Sequence, residues 1–381
     1  MSLFNGEHDM SHGDGEHDMS HGDGEHDMSH GISAHGMSQL EGMHDMSHGI
    51  STQEAIRRLG DGEVVAIPTE TVYGLAASVQ HPDALASIYT LKGRPKDNPM
   101  ILHGASVDQL LPFVEGWSKA HQACADAFWP GPLTLILRAS QRVPSIVTAG
   151  LDTVAIRIPN HPMALEILEH VGPLAAPSAN LSGSPSATKA SHVLDDFGDA
   201  VAVVDGDQAV IGLESTVVWA VDSPWRILRP GVIGADEIGH TAQAANINLD
   251  PTPTHDETVQ LALDDQKPVS PGTIYRHYTP KARVMWFDIN LLETNLGEPE
   301  QPRTLVVTHT EERRSQIQTL TQKHPSMLHQ HAESLDMLAK HLYEWYRDAD
   351  QHNIHTIFIE RFEATTPLAT SLHNRISKTV G

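Results

Sequence analysis

From residue 52 onward the chain alternates short apolar runs with stretches of helical periodicity, and nothing else in the sequence constrains its fold as strongly. Runs at 64–67, 100–103, 133–138, 153–158, 174–176, 201–204, 215–219 and 226–228 have the length and β-branched content of buried strands. Helical spacing of apolar residues recurs at 83–92, 107–114, 118–128, 162–170 and 189–196. A further helix starts at Thr52, a capping residue, carries Ala55, Ile56 and Leu59 inward, and stops at Gly60 and Gly62. Strands mixed with helices throughout predict an α/β (α+β) domain over 51–236. A second alternation follows, with strands at 284–287, 304–308 and 354–359 and helices at 311–322, 333–348 and 366–378. It predicts a small parallel α/β unit, Rossmann-like in outline, over 283–381. The intervening 237–282 lacks sustained periodicity, holds Pro251, Pro253, Pro268 and Pro271, and reads as a linker. Its last part, SPGTIYRHYTP at 270–280, concentrates aromatic and charged residues as plain linkers seldom do, which predicts that it docks onto something.

The first fifty residues are a different kind of chain. A nine-residue unit, GEHDMSHGD, starts at Gly6, Gly15 and Gly24, the third copy ending in Ile32, and a variant starts at Gly42. This tract holds ten acidic residues, no Lys or Arg, nine of the 26 histidines and seven of the 12 methionines. It has little apolar surface to bury, so disorder is expected over 1–50. Each unit sets two histidines four apart, as in His8 and His12, beside a carboxylate; imidazole and carboxylate suit zinc, nickel or copper(II). Two readings stand: a solvated tail, or weak transition-metal binding.

Composition excludes several function classes. A net charge of −24 opposes stable binding to nucleic-acid phosphates unless a local basic patch exists. No apolar stretch is long enough to span a membrane, and no secretory signal pattern opens the chain. The lone Cys124 rules out an internal disulfide framework and a cysteine-cluster zinc site, so a cytoplasmic setting is expected.

The polar segments that follow apolar runs are where chemistry belongs, because α/β folds place ligand sites at strand ends. PTETVYGL at 68–75 offers two hydroxyls and a carboxylate directly after a buried run. The loop KGRPKDNP at 92–99 carries three cations within five residues, in a chain with only 25 Lys and Arg against 49 Asp and Glu. Arg forks bidentately and Lys supplies a point charge, so the loop suits polyphosphate; a solvated basic loop is the plain alternative. Arg157 lies inside an apolar run, and a buried guanidinium must meet a protein carboxylate or an anionic ligand. Arg229 poses the same question. PSANLSG at 177–183 has the small hydroxyls and glycine that let backbone approach a ligand closely, and Ser215-Thr216 open another run. There is no Walker loop, dinucleotide GxGxxG or HExxH motif. Composition and spacing give a cationic, hydroxyl-lined cleft for a nucleotide and a small acid, without naming a reaction.

PTETVYGL at 68–75, KGRPKDNPMILH at 92–103, WPGPLTLIL at 129–137, TVAIRIPNHP at 153–162, APSANLSGSPSAT at 176–188, ESTVV at 214–218 and ILRPG at 227–231, in this order, resemble the YrdC-like family of threonylcarbamoyl-AMP synthases. SPGTIYRHYTP and the second α/β unit resemble the long, two-domain version of that family. The resemblance implies a mixed twisted YrdC-like sheet with helices. It also implies a reaction: L-threonine, bicarbonate and ATP, with magnesium, yield L-threonylcarbamoyladenylate and pyrophosphate. A tRNA-modifying transferase complex would accept the adenylate. By the same resemblance Lys92, Arg94 and Arg157 carry catalysis, and Thr71, His103, Arg157 and Ser215 contact L-threonine. Lys92, Arg94, Asn98, Ser178, Asn180, Ser186 and Arg229 contact ATP, Thr153 lines the same pocket, and Tyr275 and Tyr278 close over the nucleotide as a lid. Trp219 departs from the pattern, which often has Asp after ESTVV. One rival reading keeps the fold as an RNA-binding module without synthase activity; the acidic total speaks against it. A hydrogenase-maturation carbamoyl-transfer domain would need cysteine pairs that are absent, and a metal-buffering tail with a vestigial enzyme is a third reading.

Overall fold

The computed structural model describes residues 49–243, 248–250, 278–289, 292 and 303–380; nearly all of the histidine-rich tract, and Tyr275, lie outside the described residues. The first body is built on strands β1 (Val65–Ile67), β2 (Gly74–Ser78), β3 (Ile101–His103), β4 (Val114–Glu115), β5 (Leu133–Ala139), β6 (Thr153–Arg157), β7 (Leu174–Ala175), β8 (Ala202–Val203), β9 (Thr216–Trp219), β10 (Trp225–Arg229) and β11 (Leu249–Asp250). They form a mixed sheet in the order β11-β10-β9-β5-β6-β3-β7-β2-β1-β8, with β4 beside β5. Pairings β1/β8, β3/β6, β5/β9 and β10/β11 are parallel, and β1/β2, β2/β7, β3/β7, β5/β6 and β9/β10 antiparallel. The helices are α1 (Thr52–Gly60), α2 (Pro82–Lys92), α3 (Val107–Leu110), α4 (Lys119–Phe128), α5 (Ser145–Thr148), α6 (Pro162–Val171), α7 (Ala190–Phe197) and α8 (Ala235–Gln243).

The runs read as strands are continuous in apolarity because both sheet faces are covered. Ala66, Leu75 and Ala77 join one core cluster with Leu85, Ile88, Leu102 and Ile156. Their neighbours Val65, Ile67 and Ala76 point to the opposite cluster with Leu59, Ile167 and Leu168. That is the two-residue period of a strand buried on both sides.

Three local expectations shift. Ser51, not Thr52, caps α1: its side chain accepts the Glu54 amide while Thr52 is already helical and buried. β2 escapes a hydropathy reading because Gly74-Leu75-Ala76-Ala77-Ser78 is built of small residues. The body also does not end at 236: α8 crosses that boundary and β11 adds to β10, so the expected linker begins after the sheet's last strand. Only Ile238 and Ala242 of α8 are buried, which leaves its periodicity faint.

The second body is a parallel sheet in the order β12-β15-β13-β14, from β12 (Arg283–Trp286), β13 (Thr304–Thr308), β14 (Met327–His331) and β15 (Thr356–Ile359), with α9 (Glu311–Thr321), α10 (Leu335–Gln351) and α11 (Pro367–Ser377). The parallel α/β expectation is met, with β14 as an addition. β14 is an edge strand of sequence MLHQH in which only Met327 is buried, so no apolar run announces it. Among the described residues no helix is long and apolar enough to cross a membrane.

Candidate active site

Parallel pairing of β3 with β6 sets His103 directly opposite Arg157 at the ends of their strands. The loop after β1, the segment after β7, the entry to β9 and the end of β10 reach the same place. Between them lies a cleft enclosing about 710 Å³ including its mouth, lined by Thr69, Thr71, Tyr73, Arg94, His103, Arg157, Ser178, Asn180, Glu214, Ser215, Arg229 and Tyr278 among others. Gly231 lets the turn after β10 press against the entry to β9: a Cβ there would stand 2.3 Å from the Thr216 amide nitrogen. A side chain at that position would push Arg229 and Ser215 apart.

Each cation is held before any ligand arrives. Arg157, 4% exposed, donates through Nε to the Gly131 carbonyl at 3.1 Å and through Nη2 to Thr71 Oγ1 at 2.9 Å. Arg229 donates through Nε to the Ser215 carbonyl at 3.0 Å and through Nη2 to Ser215 Oγ at 3.1 Å, and Thr134 Oγ1 lies 2.8 Å from that hydroxyl. Arg94 folds back on its own loop, donating to the Asn98 carbonyl at 3.1 Å and to Asn98 Oδ1 and the Pro99 carbonyl at 2.7 Å each. Such preset donors need little reorganisation to meet an anion. Burial, then the charge of Arg157, pushes His103 down to about 3, so its ring is neutral at neutral pH. Its Nδ1 bonds the Ile101 carbonyl at 3.2 Å, which makes that nitrogen the donor and Nε2 the acceptor.

Thr71, Arg94, His103, Arg157, Ser178, Asn180, Ser215, Arg229 and Tyr278 are thus brought together. Four expected residues are not at the cleft wall. Lys92 is fully buried and donates to the carbonyls of Ser178 and Asn180, tying the 177–180 segment to α2. Burial, then the nearby Arg94, pushes its ammonium well below the ordinary lysine range. Asn98 positions Arg94, and Ser186 donates to Glu214 Oε1 at 2.7 Å. Thr153 sits at the far end of β6, four residues from Arg157 and so about 13 Å away along an extended strand. For these four the sequence identified the right segments but not the direction each side chain takes.

The cleft also contains residues the sequence reading gave no role. Glu214, the first residue of ESTVV, is buried and accepts from Arg375 Nε at 2.9 Å, Tyr343 Oη at 3.1 Å and Ser186. Burial would raise its carboxyl, but the charges of Arg375 and Arg229 and these bonds hold it below the usual carboxylate range. Arg375 is on α11 and Tyr343 on α10, so the second body supplies part of the wall. Tyr278 stacks on Tyr343 with ring centroids 5.5 Å apart, and the Arg375 guanidinium lies 5.6 Å over the Tyr278 ring. Tyr278 adopts φ 68°, a strained backbone for a bulky side chain, held by this packing. A second link, Arg347 of α10 forking onto Asp196 at 3.0 and 2.9 Å, fixes α10 against α7. The polarity of Glu214 within its motif was visible; its charged partner 161 residues away was not. Glu70, the carboxylate of PTETVYGL, is buried and does not line the cleft; it pairs with Arg157, Nη2 standing 2.8 Å from Oε1.

Residues 57–231 match the family model described as telomere recombination, and 236–381 match that described as threonylcarbamoyl-AMP synthase, C-terminal domain. The threonylcarbamoyl-AMP synthase of Bacillus subtilis is 38% identical over 338 residues, covering 86% of this chain and 92% of the relative. That of Pyrococcus abyssi is 44% identical over 227 residues, 59% of this chain and 64% of the relative. The crystal structure of P. abyssi Sua5 complexed with L-threonine superposes with a TM-score of 0.70 at 33% identity, covering 86% of this chain and 93% of that one. A chain that shares both domains, the mixed sheet and the parallel C-terminal sheet with these proteins belongs to the threonylcarbamoyl-AMP synthase family, in its long, two-domain form.

Proposed function

We propose that the protein is an L-threonylcarbamoyladenylate synthase acting as a nucleotidyltransferase. L-Threonine and bicarbonate give a carbamate; a carbamate oxygen forms a bond to the α-phosphorus of ATP as the α–β bridging bond breaks and pyrophosphate leaves. No protein nucleophile is needed, so catalysis consists of holding two anions together and neutralising charge as it shifts to pyrophosphate. The observation that carries this reading is the convergence of Arg94, Arg157 and Arg229 on one sheltered cleft in an otherwise acidic chain. Arg157 receives the threonine carboxylate, Arg94 and Arg229 the triphosphate, and Tyr278 shields the carbamate and adenylate from water. On this reading magnesium enters as part of the ATP complex, bound mainly through the phosphates.

On this reading the adenylate passes to a tRNA-modifying transferase complex in the cytoplasm, without stable RNA or membrane binding by this chain. The RNA-binding alternative is disfavoured because the three cleft arginines, Arg94, Arg157 and Arg229, are buried and not presented on an open face. Transition-metal binding by the histidine-rich tract is a separate proposal, tested by titrating nickel or zinc into the full chain and into one lacking residues 1–48. The central test incubates the protein with ATP, L-threonine and bicarbonate and detects the adenylate by mass. Pyrophosphate release must require all three; release without bicarbonate or without threonine would refute the reading.

A further inference from the structure

Strand β3 brings two residues to the cleft, Ile101 and His103, which stand two positions apart and so share one face of the strand. In the parallel pairing with β6, Ala155 lies opposite Ile101 and Arg157 opposite His103. The wall therefore changes along one strand pair, from apolar at Ile101 to polar at His103 and Arg157. His103 is 6% exposed, and its Nδ1 is spent on the Ile101 carbonyl. Its Nε2 meets no donor or acceptor among the described residues, and that atom is not sealed from the cleft. Burial and the charge of Arg157 keep the ring neutral, so Nε2 carries a lone pair and no proton. An acceptor held open in so sheltered a place calls for a donor. An ammonium there would sit beside the Arg157 guanidinium, so the donor that fits is a neutral hydroxyl.

We infer that His103 Nε2 accepts the side-chain hydroxyl of the amino-acid substrate while Ile101 packs against its methyl group, so that this strand pair selects a β-carbon bearing both. The inference rests on the functional reading above and makes His103 a specificity-determining residue. L-Threonine carries a carboxylate, a hydroxyl and a methyl group on neighbouring carbons. Arg157, His103 and Ile101 offer the three complements in one patch of wall. An amino acid without the hydroxyl leaves Nε2 unpaired after water has been displaced, and one without the methyl leaves Ile101 uncovered. Bicarbonate also carries an O–H beside an anionic group. Its hydroxyl oxygen departs as water when the amine bonds to carbon, and that departure needs a proton donor, which Nε2 is not.

The test measures binding of L-threonine, L-2-aminobutyrate, L-serine and L-allo-threonine by calorimetry without bicarbonate. The native protein should favour threonine over 2-aminobutyrate, which lacks only the hydroxyl, by about tenfold or more. It should favour threonine over serine, which lacks only the methyl, by about threefold or more. L-allo-Threonine exchanges the two groups in space and should bind about tenfold or more below threonine. His103→Leu removes the acceptor and should bring threonine and 2-aminobutyrate within about threefold, with 2-aminobutyrate bound as by the native protein. A structural defect would weaken both ligands alike, and that outcome overturns the assignment, as does a preference that survives the substitution. Ile101→Ala should erode the preference over serine and leave the preference over 2-aminobutyrate; the opposite pattern overturns the role of Ile101. The native series decides even if a variant does not fold. Equal binding of threonine and 2-aminobutyrate overturns the role of His103 and leaves the functional reading standing, whereas failure to bind threonine at all removes the functional reading itself.

Discussion

Replacing Arg375 by methionine isolates the link between the two bodies. Arg375 and Glu214 are 1% and 7% exposed at their side chains, with Nε 2.9 Å from Oε2. Removing one member of a buried pair strands the other charge, which costs about 3–5 kcal/mol. Ser186 and Tyr343 still bond Glu214, so the lower half of that range applies. At about 2–4 °C per kcal/mol for a large domain, the unfolding midpoint should fall by roughly 10 °C. The sign with pH is diagnostic. In the native protein the Glu214 carboxyl is held low, so it contributes stability above the unfolded pKa that is lost as pH falls through the folded one. Without Arg375 the balance turns toward burial, and the folded state prefers the protonated acid. The deficit of Arg375→Met should therefore be largest at pH 7–8 and shrink below about pH 5, near the ordinary carboxyl range. Glu214→Gln combined with Arg375→Met should recover much of the loss, because the stranded charge is gone. Thermal unfolding across pH reads all three. A midpoint within about 2 °C of native throughout, less than 1 kcal/mol on the same scale, would refute the argument that this pair fixes the cleft wall.

Other outcomes follow from the same geometry. Arg157→Ala should cost about 2–4 kcal/mol of transition-state binding, seen as a fall in kcat/KM for L-threonine of about 30- to 1000-fold; unchanged turnover and threonine affinity would dissolve the site map. His103→Asn should flatten the acid limb of stability. The native ring titrates at about 3 when folded, so the unfolded chain binds one more proton from pH 6.5 down to that value, and stability falls with falling pH by about 1.4 kcal/mol per unit. Removal of that slope is measurable by denaturant titration at pH 4 and pH 7.

Much of this molecule was legible in sequence because its signals are local. Apolar runs such as Leu133–Ala139 are buried on both faces and announce themselves, as do amphipathic α4 and α6. β14 and α8 were hidden because an edge strand and a one-sided surface helix need few apolar residues. The clustering of rare residues in polar segments after strands pointed to Arg94, Arg157 and Arg229. It could not reveal that Lys92 turns away from the cleft to bond backbone carbonyls, since a side chain's direction depends on packing around α2.

The sequence alone determined the alternating architecture, the position of the polar segments at strand ends and the family to which they point, because periodicity and motif spacing are properties of neighbouring residues. Tertiary structure decided the rest: that His103 and Arg157 lie side by side, that Thr153 stands apart, that the buried Arg157 meets the carboxylate of Glu70 and that Arg375 reaches back across 161 positions to Glu214. Those facts depend on strand register and on the docking of two separately patterned bodies, and electrostatics between distant residues leaves no periodic trace in the chain.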